Sequence, residues 1–424
     1  MWRSLSLPLT LNALREHLEG GHRALISLTG GVDWALKQTR RLFEWAQLDV
    51  CTYSSINQTL SDDVISPAVA YQYLGRQIDG LFVDLSHGLK PDALAALAGC
   101  VRGGGLVCVY WGSDTDIHPV DTHLELEGAP KGAIGHRLRQ RLLNFAMDRS
   151  HYHFDEGDNT LDLPASSRPV GSHAELTWTQ DQLHALEAVQ KVTMGRRRRP
   201  LVIEAPRGRG KSTVLAEALI RTLEKKAGHV LVVMPHAFSA LPLLRGLEHH
   251  WSRGFEFGIR HELGASKALT ILTMEQALSE EHTGDIIFVD EAACFPIHVL
   301  KELVAQTSRI VFSTTTAGYE GTGQGFRLRF DQQLKMRYPE RRRVEMETPV
   351  RWNAGDPVES WLNQSLCLRT NLEDEPAVVD EPAGAFAGAD DVAPCFSSYK
   401  ILPVPSSKRT AVTFFALKSF TKCE

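Results

Sequence analysis

The stretch Ala205-Pro206-Arg207-Gly208-Arg209-Gly210-Lys211-Ser212-Thr213 brings glycines, cations and hydroxyls together at the spacing of a phosphate-binding loop. In such a turn successive backbone N–H groups cradle phosphate oxygens, and the helix that follows adds the partial positive charge of its N-terminus. Lys211 is placed to reach the β/γ-phosphates of ATP, and the Ser212 hydroxyl to ligand Mg²⁺. Ala205 stands where the pattern usually has Gly, and a residue this small serves there. A Gly/Arg-rich surface turn is the plain alternative. The second group is the pair Asp290-Glu291, which closes the apolar run Ile286-Ile287-Phe288-Val289. Asp290 there would hold Mg²⁺ through water, and Glu291 would orient or deprotonate an attacking water. Together these residues describe ATP hydrolysis, with Lys211, Asp290 and Glu291 as the catalytic set.

Three further candidates are individually weaker. Gln182 lies about one helix ahead of the loop, with Ala185 and Leu186 three and four positions on, and its amide suits both edges of adenine. Gln180 is the competing choice. Ser313, Thr314 and Thr315 end a strand-like run, and hydroxyls at a strand's carboxyl end face the nucleotide crevice of an open parallel sheet. Arg351, in Thr348-Pro349-Val350-Arg351-Trp352, is an Arg supplied from outside the loop, the usual way to offset charge on a transferring phosphoryl group. Read on spacing alone, a surface ion pair is the favoured alternative.

These groups need elements to hold them. Leu201-Val202-Ile203 reads as a strand before the loop, and Val214 to Ile220 as a helix after it. His229 to Pro235, Asp285 to Val289 and Arg309 to Thr316 read as further strands. Earlier, Arg23 to Leu28 and Gly80 to Leu85 are strand-like, Asp33 to Trp45 is an amphipathic helix, and Pro91 opens a helix reaching Cys100. Gly103-Gly104-Gly105 reads as a turn into the strand Leu106 to Trp111. Strand–helix alternation of this kind predicts an α/β chain with parallel sheets. Residues 151–175 are polar and rich in Pro, Ser, Asp and His, as a linker would be. Past 370 the chain turns acidic and Pro/Ala-rich, which is also linker-like.

Composition sets the limits. The 424 residues suffice for two or three domains, and 43% hydrophobic with 23% charged residues is ordinary for a globular protein. A net charge of −5 gives no global attraction to nucleic acid, so any RNA contact must come from local basic runs. Three such runs exist: Arg196 to Arg199, Arg341 to Arg343, and His136 to Arg141. The seven cysteines are scattered without CxxC spacing, which argues for a reducing compartment, no disulfide framework and no zinc site. No sustained apolar run predicts a membrane span, so a cytoplasmic location is expected.

Several segments together resemble one family, the bacterial tRNA(Met) cytidine acetyltransferases (TmcA). They are Asp181-Gln182 with Ala185-Leu186-Glu187-Ala188, Arg207 to Ser212, Phe288 to Ala293, Ser313-Thr314-Thr315 with Gly318-Tyr319-Glu320-Gly321-Thr322-Gly323, and Pro349 to Trp352. The resemblance implies an N-terminal α/β domain over 1–150, a linker over 151–175 and a superfamily-1-helicase-like P-loop ATPase domain over 176–370. It also implies ATP contacts at Gln182, at the loop Glu204, Ala205, Pro206, Arg207, Gly208, Arg209, Gly210, Lys211, Ser212 and Thr213, and at Arg351. Intact members use ATP and acetyl-CoA to form N4-acetylcytidine at the wobble position of elongator tRNA(Met). Acetyl-CoA would need its own Gly-rich pyrophosphate turn, and 371–424 holds none and is too short for an acetyltransferase fold. The sequence therefore reads as a member truncated before that domain, with a divergent, disordered or frameshifted tail. A stand-alone helicase or translocase fragment and a non-catalytic nucleotide-binding product are the alternatives. A motor normally closes its nucleotide between two lobes, and too few residues follow Phe330 to build a second one. The sequence does not indicate an oligomeric state.

Overall fold

The computed structural model describes residues 7–53, 64–66, 70–73, 75–86, 88, 90–113, 136–149, 152–157, 177–226, 228–279, 284–316 and 326–368. The Gly-rich string at 317–325, most of the expected linker and the tail at 371–424 lie outside the described residues.

Two parallel sheets organise the described chain. The first takes β1 (Ala24–Thr29), β2 (Val50–Tyr53), β3 (Val64–Ile65), β4 (Ile78–Asp84), β5 (Val101–Tyr110) and β6 (Tyr152–Asp155), in the order β3-β2-β4-β5-β1-β6. The helices α1 (Leu7–Glu19), α2 (Val32–Ala46), α3 (Pro91–Ala98) and α4 (His136–Arg149) alternate with these strands. Every strand pair in this sheet is parallel. Strands such as β5 are buried along almost their whole length, as parallel strands covered on both faces must be.

Two sequence expectations change here. The glycines 103–105, expected as a turn, lie inside β5, where the pairing with β4 shifts from Ile78 opposite Val101 to Gly80 opposite Leu106. A side chain on Gly103 would collide with the carbonyl of Gly21, and one on Gly105 with that of Asp79. The three glycines let neighbouring backbones close on an irregular strand. In addition, the stretch expected as linker starts with β6, whose residues pair with Ile26 to Thr29 of β1.

The second sheet takes β7 (Leu201–Ala205), β8 (Gly228–Met234), β9 (Arg260–Glu262), β10 (Lys267–Thr273), β11 (Ile286–Val289), β12 (Ile310–Thr315) and β13 (Arg342–Glu345). Its order is β13-β7-β12-β11-β8-β10-β9, and only the edge strand β9 runs antiparallel. β12 is therefore inserted between the strand that leads into the glycine loop and the strand that ends in the two acids. The helices α5 (Gln180–Thr193), α6 (Lys211–Lys225) and α7 (Leu241–Trp251) share one core with one face, while α8 (Met274–Ser279) and α9 (Ile297–Gln306) pack on the other.

The last described helix, Pro357–Ser365, follows the second sheet in sequence but returns to the first. Val358, Trp361 and Leu362 sit in the same apolar cluster as Leu25, Leu97 and Leu142, and the Trp361 Nε1–H donates to the Leu142 carbonyl at 3.0 Å. Residues Met1–Thr370 consequently form one compact unit containing both sheets. Arginines from two of the three basic runs help to hold this unit together. Arg141 donates to the carbonyls of Gln364 and Ser365 at the end of that helix, and Arg139 to that of Trp111. Arg341 pairs with Asp331, and Arg343 with Glu204.

Candidate nucleotide site

The glycine loop joins the end of β7 to the first turn of α6. Gly208 and Gly210 have φ of 79° and 76°, a region open to Gly at no steric cost. A Cβ on Gly208 would lie 2.7 Å from the Trp352 ring, and one on Gly210 would lie 2.5 Å from Gln182 Nε2. The loop is thus shaped by close packing from behind, and its backbone amides are left to the front.

Lys211 Nζ sits at the focus of the site. It lies 2.9 Å from Glu291 Oε1 and donates to Thr315 Oγ1 at 2.8 Å. Thr315 in turn donates to the Glu291 carboxylate at 2.8 Å. The sheet order accounts for this triangle, because β12 lies between β7 and β11 and Thr315 is in register with Ala205. Ser212 Oγ lies 3.4 Å from Asp290 Oδ2. These two hard oxygens, one of them a carboxylate, suit Mg²⁺ with water filling its remaining positions.

The two acids are held differently. Burial pushes the Asp290 carboxyl up; Lys211 opposes the rise and the neighbouring Glu291 adds to it. Burial also acts to raise Glu291, but Lys211, Arg207 and the hydrogen bond from Thr315 outweigh it and hold that carboxyl below the usual glutamate range. Glu291 is therefore ionised at neutral pH. Its backbone is left-handed, φ 47° and ψ 49°, a conformation that costs a non-glycine residue on the order of 1–3 kcal/mol. Lys211, Thr315 and the bond from Glu291 N–H to Asp290 Oδ1 keep it there.

A cavity of about 340 Å³ opens in front of the loop. Pro206 to Thr213, Asp290, Glu291 and Arg351 line it, and the opposite wall comes from Gly75, Ala96, Gly99 and Cys100 beside the first sheet. That wall is thus supplied by residues that precede the loop in sequence. Arg351 Nη1 donates to the Gly99 carbonyl at 2.5 Å, just past the end of α3, where helix carbonyls lack partners and carry partial negative charge. This bond stations the Arg351 guanidinium between the two walls.

Several expected nucleotide contacts are placed elsewhere. The Gln182 amide is engaged at both ends: its Oε1 accepts from Thr179 N–H at 3.0 Å, and its Nε2 donates to the Arg209 carbonyl at 3.1 Å. Thr179-x-x-Gln182 is a capping box at the start of α5, a signal that is present in the sequence itself. Gln182 does not line the cavity; it braces the loop. Neighbouring Asp181 ties the start of α5 to the segment after β13, its carboxylate accepting from Glu347 and Thr348 N–H, each at 2.8 Å. Glu204 is buried within β7 and pairs with Arg343 of β13 at 2.8 Å, while Ala205 is enclosed in the strand. Arg209 contributes backbone to the cavity, but its guanidinium reaches back to Glu359 at 2.7 Å and to the Glu347 carbonyl at 3.0 Å.

A brace that no local motif announces lies behind the loop. The Gly208 carbonyl accepts from Val350 and Arg351 N–H. Trp352 packs on Gly208 and donates Nε1–H to Glu359 Oε2 at 2.7 Å. Arg23 lies 3.5 Å above the Trp352 ring and pairs with Asp356 at 2.6 Å, both side chains at 1% exposure or less. Arg23 also donates to the Ala98 carbonyl at 2.7 Å, so α3 is capped by arginines from both sides of the junction.

The sheet order, the glycine loop at the end of β7 and the acids at the end of β11 define a P-loop NTPase, a nucleotide-binding fold. The chain belongs to the tRNA(Met) cytidine acetyltransferase (TmcA) family. Residues 202–369 match the helicase domain of RNA cytidine acetyltransferase NAT10/TcmA, and residues 6–155 match the N-terminal domain of tRNA(Met) cytidine acetyltransferase TmcA. The TmcA of Nitrosococcus halophilus is 28% identical over 375 residues, which is 84% of this chain and 50% of that protein. That of Vibrio cholerae is 32% identical over 306 residues, 71% of this chain and 39% of its own length. The chain thus spans about half the length, or less, of these curated relatives. Among solved structures, the large terminase of a thermophilic bacteriophage covers 41% of this chain and 46% of its own, at 12% identity and a TM-score of 0.31, a likeness too slight to argue from. No helix among the described residues is long and apolar enough to cross a membrane.

Proposed function

We propose that this chain is the ATP-binding and ATP-hydrolysing portion of a tRNA(Met) cytidine acetyltransferase, in which nucleotide turnover acts on RNA for acetylation elsewhere in the enzyme. The observation that carries the reading is the Lys211–Glu291–Thr315 triangle facing the glycine loop across one cavity. Names of relatives such as the Vibrio cholerae protein supply the RNA and the acetyl transfer; the site itself speaks only for the nucleotide.

In this reading the backbone amides from Gly208 to Lys211 bind the phosphates, and Lys211 exchanges its carboxylate partner for the γ-phosphate. Glu291, released from Lys211, accepts a hydrogen bond from the attacking water and orients it. Ser212 and Asp290 would hold Mg²⁺, which neutralises charge on the phosphate oxygens when bound. Arg351 offsets the charge that develops on the transferring phosphoryl group, from a position fixed by the Gly99 carbonyl.

Replacing Glu291 by Gln tests this assignment. The amide keeps the shape but cannot act as a base. Hydrolysis is expected to fall by on the order of 10²–10⁴, while binding of a fluorescent ATP analogue persists. Equal turnover in Glu291→Gln and the parent protein would remove Glu291 from the mechanism.

A further inference from the structure

Of the three basic runs, Arg196 to Arg199 keeps most of its charge directed outward. Arg196, Arg197 and Arg198 are exposed, whereas Arg199 is half-buried and paired with Glu340. They border a groove of about 650 Å³ at the amino ends of β7, β12 and β13, the opposite end of the sheet from the glycine loop. Arg197, Arg198, Arg199 and Arg337 line it against a single acid, Glu340.

Helix carbonyl ends collect at this end of the sheet, so part of the positive charge has a structural purpose. Arg309 donates to the Gly195 carbonyl at 3.0 Å, and Lys226 to that of Thr193 at 2.9 Å, both at the end of α5. Arg197 and Arg198 are not needed for that task. Arg198 is held left-handed, φ 61°, by its N–H bond to the Ser308 carbonyl at 2.7 Å, which fixes the backbone while the side chain stays exposed. Cations remain in excess: burial lowers the Lys226 ammonium, and Arg309 and Arg197 lower it further against the opposing pull of Asp285. Beside them stands a partly exposed aromatic ring, Tyr338, with the Arg337 guanidinium 5.8 Å from its centroid.

We propose that this groove binds the phosphodiester backbone of the RNA substrate, with Arg197, Arg198 and Arg337 on phosphates and Tyr338 as a stacking face for a base. Arginine forks on phosphate beside an aromatic ring are the chemistry of single-stranded and looped RNA recognition. A lipid surface fits less well, because none of the exposed large apolar side chains among the described residues lines the groove. The proposal rests on the reading of the chain as part of an RNA-modifying enzyme, and it places the RNA contact apart from the nucleotide site.

The test is fluorescence anisotropy with a labelled tRNA(Met) transcript, using the full chain, the double variant Arg197→Glu/Arg198→Glu, and Arg337→Glu. Each variant is expected to bind about tenfold or more weakly, and the slope of log K against log salt is expected to flatten by roughly 0.7–0.9 for each phosphate no longer neutralised. ATP hydrolysis without RNA and the unfolding temperature are expected to stay at parent values. Unchanged affinity and salt slope in both variants overturn the proposal. So does equal affinity of the parent for polyglutamate, or for vesicles of phosphatidylcholine and phosphatidylserine. Lys211→Ala separates the two readings, since it is expected to lower hydrolysis by on the order of 10²–10³ and leave RNA affinity intact. A parent protein that hydrolyses ATP but does not bind the transcript sinks the groove and leaves the nucleotide site standing.

Discussion

Lys211→Ala is expected to lower ATP turnover by on the order of 10²–10³, the usual cost of deleting one preorganised donor from a site that stabilises developing charge. Affinity for ATP is expected to fall by about ten- to a hundredfold, equivalent to one charge-assisted hydrogen bond of roughly 1.5–3 kcal/mol. Two effects compound in this variant. The phosphates lose the cation in the helix turn that opens α6, and Glu291 loses the ammonium that most strongly opposes its desolvation. The Glu291 carboxyl then rises toward or above the usual glutamate range. A water-orienting carboxylate that protonates more easily gives a pH–rate profile whose acid limb moves to higher pH. Steady-state hydrolysis measured across pH, with thermal unfolding as a control for folding, checks both parts. Parent-like turnover in a folded Lys211→Ala protein would mean that the site lies elsewhere.

What could be read from the sequence follows from range. The loop from Ala205 to Thr213 and the pair Asp290-Glu291 are local strings whose strand and helix contexts lie beside them, and the structure brings Lys211 against Glu291 as those strings imply. The hydroxyl of Thr315 is legible as a strand-end group, but its place between lysine and glutamate depends on strand order, which no string encodes. Gln182 is ambiguous because two physical demands share one signature. A Gln early in a helix satisfies either a base edge or its own N-cap, and here Thr179 three residues earlier decides for the cap. Position in the loop motif points Glu204 and Arg209 toward the ligand, yet their side-chain partners Arg343 and Glu359 lie more than a hundred residues away and draw them off it. The return of the helix Pro357–Ser365 to the first sheet is invisible in sequence for the same reason.

That return gives the second sheet's loop a mechanical link to the first sheet, and the link passes through few side chains. From the loop it runs through Gly208 to Trp352, and through Arg209 to Glu359. From there it reaches the Arg23–Asp356 pair and the carbonyls at the end of α3. The far wall of the cavity, Gly99 and Cys100, sits directly on those carbonyls. Any change in how the two sheets meet must therefore reposition Arg351 relative to the loop.

Asp356→Ala is the sharpest probe of that link. Its carboxylate accepts from Arg23 Nε, Nη2 and backbone N–H, and from Glu359 N–H at 2.9 Å as the N-cap of the last helix. Truncation strands a buried guanidinium, which costs about 3–5 kcal/mol, and removes a cap worth about 1 kcal/mol. Against a typical domain stability of about 5–15 kcal/mol the loss is severe, and the unfolding temperature is expected to drop by on the order of 10 °C. The double variant Arg23→Met/Asp356→Leu removes both charges and is expected to recover most of that drop, because buried ion pairs are often replaceable by apolar groups of similar volume. Affinity for ATP should not recover with it. Arg23 also stacks on Trp352 and caps α3, and methionine does neither, so the Arg351 side of the cavity stays loosened. Calorimetry and ATP titration on the same pair of variants separate stability from positioning. Recovery of both properties in the double variant would reduce the Arg23–Asp356 pair to a stabilising contact with no bearing on the nucleotide.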